Sequence, residues 1–177
     1  MKAFGPERRK NMIPKIKNIL YATDLSENSA YAFRYAINSA EKHDAQIHIL
    51  HVLEQLSSRS WAYLYPFNFE IVREDTRRDL LKEIKKRLED LCQRELKDKP
   101  ECMKRVASIQ VIDGYPAGAI LEKAEKAKAD MVIMGTHSKG ALAHAFLGSV
   151  AESVLNRIKV PVYVIPIPNG RELDSKK

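Results

Sequence analysis

Apolar positions along the chain follow two patterns that alternate with each other. Short, nearly continuous apolar runs predict buried strands, and they occupy residues 18–23, 45–54, 105–114, 130–135 and 160–168. Apolar residues spaced three or four apart predict amphipathic helices at residues 26–43, 75–96 and 116–129, with another helix opening near residue 148. Strands that alternate with helices form parallel sheets with right-handed crossovers, so the pattern predicts an α/β domain. Pro161, Pro166 and Pro168 indicate that the last run is an edge strand.

One connection is much longer than the others. Residues 54–74 separate the second strand from the next helix, and they carry five aromatic side chains, Trp61, Tyr63, Tyr65, Phe67 and Phe69. Loops of this length are usually functional or disordered, and so many aromatic residues argue against disorder. Two interpretations remain open: a flap that packs on its own domain, or a surface for a partner or ligand.

Composition is that of an ordinary globular protein. The 177 residues suit one domain at 15–168, with a basic extension at 1–14 and a polar tail at 169–177. Two cysteines, Cys92 and Cys102, are too few for a disulfide framework, which favours a reducing compartment. No apolar run approaches the roughly 20 residues that span a bilayer, and the N-terminus lacks a secretory pattern. We therefore expect a cytoplasmic protein.

Much of the formal net charge of +7 sits at the front of the chain, where a single acidic residue, Glu7, faces six basic ones: Lys2, Arg8, Arg9, Lys10, Lys15 and Lys17. Such a segment is either a solvated tail or an arm for nucleic acid or an acidic membrane. The extension lacks interleaved aromatic residues on which bases could stack. We therefore expect neither nucleic acid nor a membrane as a partner.

The loop after the fourth strand, Gly135–Gly140, has the glycine spacing that opens a phosphate-binding P-loop. The next two positions should be lysine and serine or threonine, but they are Ala141 and Leu142, so this interpretation fails. No dinucleotide fingerprint and no nucleophile elbow is present. His48 and His51 lie three apart in a strand, so they point to opposite faces and cannot bind one ion. The sequence predicts no catalytic residue and no metal site, and therefore no efficient enzyme.

Two polar segments lie where predicted strands end. Thr23 and Asp24 follow the first strand, and residues 135–138 follow the fourth. In an open parallel sheet, ligands bind beyond the carboxyl ends of strands where the strand order reverses, so the segments converge if their strands are neighbours. Ser149 and Glu152 match a capping box, but a helix start at Ser149 also favours phosphate, and both interpretations stay open.

The sequence resembles the universal stress protein family over roughly residues 15–168. The matching stretches are "NILYATDLSENSAYAF", "IHILHVLE", "DGYPAGAILEKAEKAKADMVIMGTHSKG" and "LGSVAESVLNRIKVPVYVIP". The family's nucleotide signature is G-x-x-G, nine residues, then G and S or T. Here Gly135-x-x-Ser138 is followed by nine residues and then by Gly148-Ser149. Ala22 stands where proline is frequent, and Ser138 replaces the second glycine of the signature.

The resemblance implies a Rossmann-like fold: an open five-stranded parallel sheet, ordered 3-2-1-4-5, with helices on both faces. It also implies an adenine nucleotide, ATP or AMP, with or without Mg²⁺. Asp24 would meet the ribose or adenine, and Val52 the adenine. The implied contact residues are Ala22, Thr23, Asp24, Val52, Met134, Gly135, His137, Ser138, Gly148, Ser149 and Val150. Met134, Gly135, His137 and Ser138 would border the ribose and phosphates, and Gly148, Ser149 and Val150 would supply phosphate donors.

Two functions from different classes remain open at this point. The first is a regulatory stress-response module that binds ATP or AMP, with at most slow hydrolysis or autophosphorylation. The second is a nucleotide-independent dimeric stress protein that acts through protein partners. In both cases the resemblance implies a homodimer through the last strand, Val160 to Ile165, because members commonly pair these strands.

Overall fold

The computed structural model describes residues 13–26, 29–54, 69–136 and 147–167, with the backbone alone at 69–75. Its five strands form a single parallel sheet ordered β3-β2-β1-β4-β5, which confirms the predicted order and fold class. The strands are β1 Asn18–Thr23, β2 Gln46–Glu54, β3 Val106–Gly114, β4 Met131–Gly135 and β5 Val162–Ile165. The helices are α1 Ser29–His43, α2 Phe69–Glu95, α3 Pro116–Lys126 and α4 Ser149–Leu155, with a 3₁₀ turn at Pro100–Arg105.

Helix α2 begins at Phe69, earlier than the predicted start at residue 75. It therefore includes the end of the connection predicted at 54–74. The chain has no glycine or proline between Pro66 and Pro100, so nothing in the sequence stops a helix before the long charged stretch begins. Residues 55–68 lie outside the described residues, and both interpretations of that segment stay predictions.

Two hydrophobic clusters pack on opposite faces of the sheet. Tyr21 and Ile49 belong to the cluster under α1 and α2, together with Phe33 of α1. Leu20 and Leu50, their neighbours along the same strands, belong to the cluster under α3 and α4. Because successive strand residues point to opposite faces and both faces are covered, these strands need continuous apolar runs. The predicted placement of helices on both faces is confirmed.

Asp130 joins the amino ends of β1 and β4. Its Oδ2 accepts hydrogen bonds from the backbone N–H groups of Lys17, at 2.8 Å, and Asn18, at 2.9 Å. Its own N–H donates to the Asn18 carbonyl at 2.8 Å. These bonds lie next to the first paired residues, Ile19 and Met131, so they help to set the register of the two central strands.

Strand β5 is shorter than the predicted run at 160–168, since only Val162–Ile165 pair with β4. Pro161 and Pro166 bound it on either side, and neither can donate to the ladder. Tyr163 is 41% exposed and packs edge-on against Tyr35 of α1, with ring centroids 6.1 Å apart. Within the described sheet, β5 is an edge strand as predicted.

None of the helices in the described ranges combines the length and hydrophobicity that a membrane span requires.

Candidate functional site

A cavity of about 580 Å³ opens at the carboxyl edge of the sheet, within the size range of small-molecule sites. It lies between β1 and β4, where the strand order reverses, as expected for a ligand site in an open parallel sheet. The predicted residues that line it are Ala22, Thr23, Asp24, Val52, Met134, Gly135, Gly148, Ser149 and Val150. His137 and Ser138 lie outside the described residues. The fold therefore brings the two polar segments together, while their role as nucleotide contacts stays a prediction.

The first wall of the cavity is a tight turn after β1. The Thr23 hydroxyl oxygen accepts the Leu25 N–H at 3.2 Å, and the Asp24 carboxylate accepts the Ser26 N–H at 2.9 Å. Leu25 has a φ of 57°, in the left-handed region that a non-glycine residue adopts only when its surroundings hold it there. A carboxylate has about four acceptor positions, so the turn leaves Asp24 able to accept further hydrogen bonds.

His51 ties the end of β2 to this turn. It is paired with Thr23 in the ladder, and its Nδ1 lies 2.9 Å from the Thr23 carbonyl oxygen. Because a carbonyl oxygen only accepts, Nδ1 must carry the proton. His51 also lines the cavity, although sequence reasoning treated it only as a failed metal ligand.

Thr136 holds the opposite wall together. Its N–H donates to the Ile165 carbonyl at 3.0 Å, and its side-chain oxygen accepts the Ile167 N–H at 3.2 Å. Its carbonyl accepts the Gly148 N–H at 2.5 Å. This buried threonine thus connects the end of β4 to the end of β5 and to the start of α4. Sequence reasoning noted it only as part of the polar segment after β4.

The capping-box interpretation of Ser149 and Glu152, one of the two that the sequence left open, is wrong. The N-cap of α4 is Gly148, with φ −72° and ψ 153°, and Ser149 is the first helical residue. Glycine is accepted at N-caps, and the Gly148 carbonyl receives the Glu152 N–H at 3.0 Å. The Gly148 N–H is used on the Thr136 carbonyl, and the donor role expected of Gly148, Ser149 and Val150 toward a phosphate stays a prediction.

Further residues line the cavity that sequence reasoning did not include. They are Tyr21, Leu25, Ser26, Ser29, Ala32, Leu50, His51, Leu53, Glu54, Pro116, Ile120, Thr136, Ala151 and Ile167. Glu54 and Pro116 could have been found, because one ends β2 and the other starts the helix after β3. Ile167 had no such signal: a Cβ built on Gly135 would lie 3.3 Å from its side chain, so the glycine gives it room.

Both charged and apolar residues line the cavity. Carboxylates of Asp24 and Glu54 lie at the β1 and β2 ends, while Val52, Ile120 and Met134 supply apolar wall. Beneath them, burial raises the pKa of the Tyr21 hydroxyl, which donates to the Ser29 carbonyl at 2.8 Å. Among the residues that the structure describes, no group of three or more His, Cys, Asp or Glu side chains could hold a metal ion.

Comparisons with known proteins agree on one family. The family model described as "Universal stress protein family" matches residues 15–166. Universal stress protein MJ0531 of Methanocaldococcus jannaschii is 32% identical over 158 residues, covering 86% of this chain and 83% of that protein.

Solved structures support the same relationship. The structure of MJ0577, a universal stress protein of the same organism, is 29% identical with a TM-score of 0.70, covering 89% of this chain and 100% of that one. A universal stress protein solved in complex with cAMP is 21% identical with a TM-score of 0.54, covering 88% of this chain and 100% of its own. At that identity the second likeness shows the fold alone.

Proposed function

Because this chain belongs to the universal stress protein family, we propose that its cavity binds an adenine nucleotide, ATP or AMP, and that the protein is a regulatory stress-response module. The observation that carries the proposal is the meeting of the Asp24 turn with the 148–150 segment across one cavity between β1 and β4. The cAMP complex of a structural relative supports the choice of an adenine nucleotide, since it places one on a chain of this fold.

The side chains present fit such a ligand. The apolar wall of Val52, Ile120 and Met134 suits the faces of a base, and the Asp24 carboxylate can accept hydrogen bonds from ribose hydroxyls or an amino group. Carboxylates at Asp24 and Glu54 repel phosphate, so the phosphates point away from them, toward β4 and the 148–150 segment. No carboxylate cluster for Mg²⁺ is found among the described residues, so a magnesium ion would arrive with the phosphates.

A thermal shift experiment tests the proposal. A ligand at 100 times its dissociation constant stabilises a protein by about 2.7 kcal/mol. For a chain of this size, we expect the melting temperature to rise by roughly 5–11 °C. ATP, ADP and AMP are compared with GTP at the same concentration, each with and without Mg²⁺. Identical melting curves with and without every adenine nucleotide would remove the proposal.

Calorimetric titration of Gly148→Val sharpens the test. The backbone of Gly148 has φ −72° and ψ 153°, which any residue can adopt, so a valine there tests space rather than strain. We expect it to abolish nucleotide binding by filling the approach to the 148–150 segment. Asp24→Asn keeps the size of the side chain and should weaken binding by about tenfold, by removing one charged acceptor.

Ser138 tests whether the altered signature matters. If position 138 needs the left-handed region, serine costs about 1 kcal/mol relative to glycine, which is tenfold or less in affinity. Ser138→Gly should therefore change ATP affinity by no more than tenfold. If the unmodified protein shows no heat and Ser138→Gly binds tightly, the nucleotide-independent function is favoured instead.

We also propose a homodimer through Val160 to Ile165. The strand offers an unpaired edge in the described sheet, and edges of apolar strands favour pairing. Replacing Val162 and Val164 by lysine should give monomers in light scattering. A monomeric unmodified protein at tens of micromolar would contradict the proposal. We further propose that the protein is cytoplasmic and that it hydrolyses ATP slowly at most.

A further inference from the structure

The end of β1 is held by a side chain rather than by the sheet ladder alone. Thr23 and His51 are the last paired residues between β1 and β2. Beyond them the chain turns away, and the Thr23 carbonyl receives its bond from His51 Nδ1 at 2.9 Å. This carbonyl belongs to the peptide that leads into Asp24, so the histidine acts on the backbone that carries the carboxylate.

The turn that presents Asp24 has a cost of its own. Leu25 adopts a φ of 57°, a left-handed conformation that is unfavourable for a residue with a side chain. Two local bonds support the turn, Leu25 N–H to Thr23 and Ser26 N–H to Asp24, but both lie within the turn itself. The bond from His51 is a side-chain tie between this turn and the neighbouring strand, in addition to the ladder pairing of Thr23 with His51.

We infer that His51 is a positioning residue: it holds the Thr23–Asp24 peptide so that the Asp24 carboxylate faces the nucleotide. The identity of the ligand rests on the proposed function. The positioning role itself rests on the contact between His51 Nδ1 and the Thr23 carbonyl. His51 acts through Asp24, since its ring proton is used on the Thr23 carbonyl.

The strand offers a matched control. His48 lies on β2 as well, and its Nδ1 is also 2.9 Å from a neighbouring strand's oxygen, that of the Ser108 side chain on β3. It points to the opposite face of the sheet, since His48 and His51 are an odd number of positions apart, and it does not line the cavity. His48→Leu therefore removes a comparable ring and a comparable bond without touching the Asp24 turn.

The first measurement is hydrogen exchange at the Leu25 and Ser26 amides, which needs no ligand. His51→Leu should speed exchange at both amides, whereas His48→Leu should leave both rates unchanged. His51→Asn should restore slow exchange in part, because the asparagine Nδ2 is as many bonds from Cα as the histidine Nδ1. Equal exchange in the two leucine variants would overturn the inference.

The second measurement is a double-mutant cycle with AMP as the probe. His51→Leu should weaken AMP binding by about tenfold, the loss expected for one hydrogen bond, and His48→Leu by less than twofold. In an Asp24→Asn background, His51→Leu should weaken AMP by less than threefold, because the group that it positions is already altered. Full additivity would show that His51 does not act through Asp24, and would overturn the inference. If the unmodified protein binds no nucleotide, the proposed function and the nucleotide role of His51 both fail, while exchange still decides whether the tie exists.

Discussion

Arg77 of α2 links the carboxyl ends of two strands next to the cavity. Its Nε donates to Asp113 Oδ1 at 2.7 Å, and one terminal nitrogen lies 3.5 Å from the Glu54 carbonyl oxygen. Only 14% of the Arg77 side chain and 29% of the Asp113 side chain is exposed. Replacing Arg77 by methionine keeps much of its apolar stem but leaves Asp113 without this partner.

The size of the effect follows from this intermediate burial. Fully exposed ion pairs contribute about 0.2–1 kcal/mol, whereas breaking a buried pair costs about 3–5 kcal/mol. With both side chains mostly but not fully covered, we expect Arg77→Met to lower the free energy of unfolding by about 1–2 kcal/mol. For a chain of this length that corresponds to a melting temperature lower by roughly 2–8 °C.

The same helix supplies the control. Arg87 pairs with Glu83 one turn away, but 68% and 57% of these side chains are exposed. Arg87→Met should therefore change the free energy of unfolding by about 0.5 kcal/mol or less. Both variants are measured by calorimetry and urea unfolding, with Asp113→Asn to complete a cycle. Equal losses for Arg77→Met and Arg87→Met would refute the reasoning from burial.

Three further predictions concern other parts of the fold. Gly135→Ala should lower the free energy of unfolding by about 1 kcal/mol, because its Cβ would lie 3.3 Å from the Ile167 side chain. Ile167→Val should cost less in the Gly135→Ala background than alone. Additive losses in urea unfolding would contradict this. Burial and the nearby charge of Lys123 lower the pKa of His48 in the folded protein. As the pH falls below about 6.5, His48 is therefore protonated more readily in the unfolded chain, which lowers the free energy of unfolding. Stability should fall by at most about 1.4 kcal/mol per pH unit from this group, and His48→Gln should flatten the curve between about pH 7 and 5.5; parallel curves would exclude the effect. Asp130→Ala removes the acceptor of two backbone N–H groups, one exposed and one partly buried, and should cost about 1–2 kcal/mol, whereas Asp130→Asn, which keeps an acceptor oxygen, should cost less in the same assay.

The fold was largely predictable because its strands are covered on both faces. The continuous apolar runs predicted β1 and β4 within a residue of their observed bounds, but alternation alone cannot order the strands. The order 3-2-1-4-5 came from the family resemblance, and with it came the meeting of Asp24 and the 148–150 segment.

The rest depended on contacts that no local pattern carries. Thr136 binds Ile167 from 31 positions away, and His51 binds Thr23 from 28 positions away. The N-cap of α4 is Gly148 rather than Ser149, and the Gly148 N–H donates to the distant Thr136 carbonyl. Such bonds depend on where the ends of separate strands meet, so only the assembled sheet reveals them.

The hydrogen bond between Asn18 and Asp130 also bears on when the cavity can form during synthesis of the chain. The two residues are 112 positions apart, and together they close the longest-range pairing of the central strand. At roughly 5–20 residues per second, a ribosome makes the partner for this side of β1 roughly 6–20 s after β1 itself. During that interval β1 can pair with β2 but has no β4 beside it. A chain that stops before β4 therefore has the Asp24 turn without the wall that faces it, and the cavity forms only after the residues of β4 and the 148–150 segment have been made.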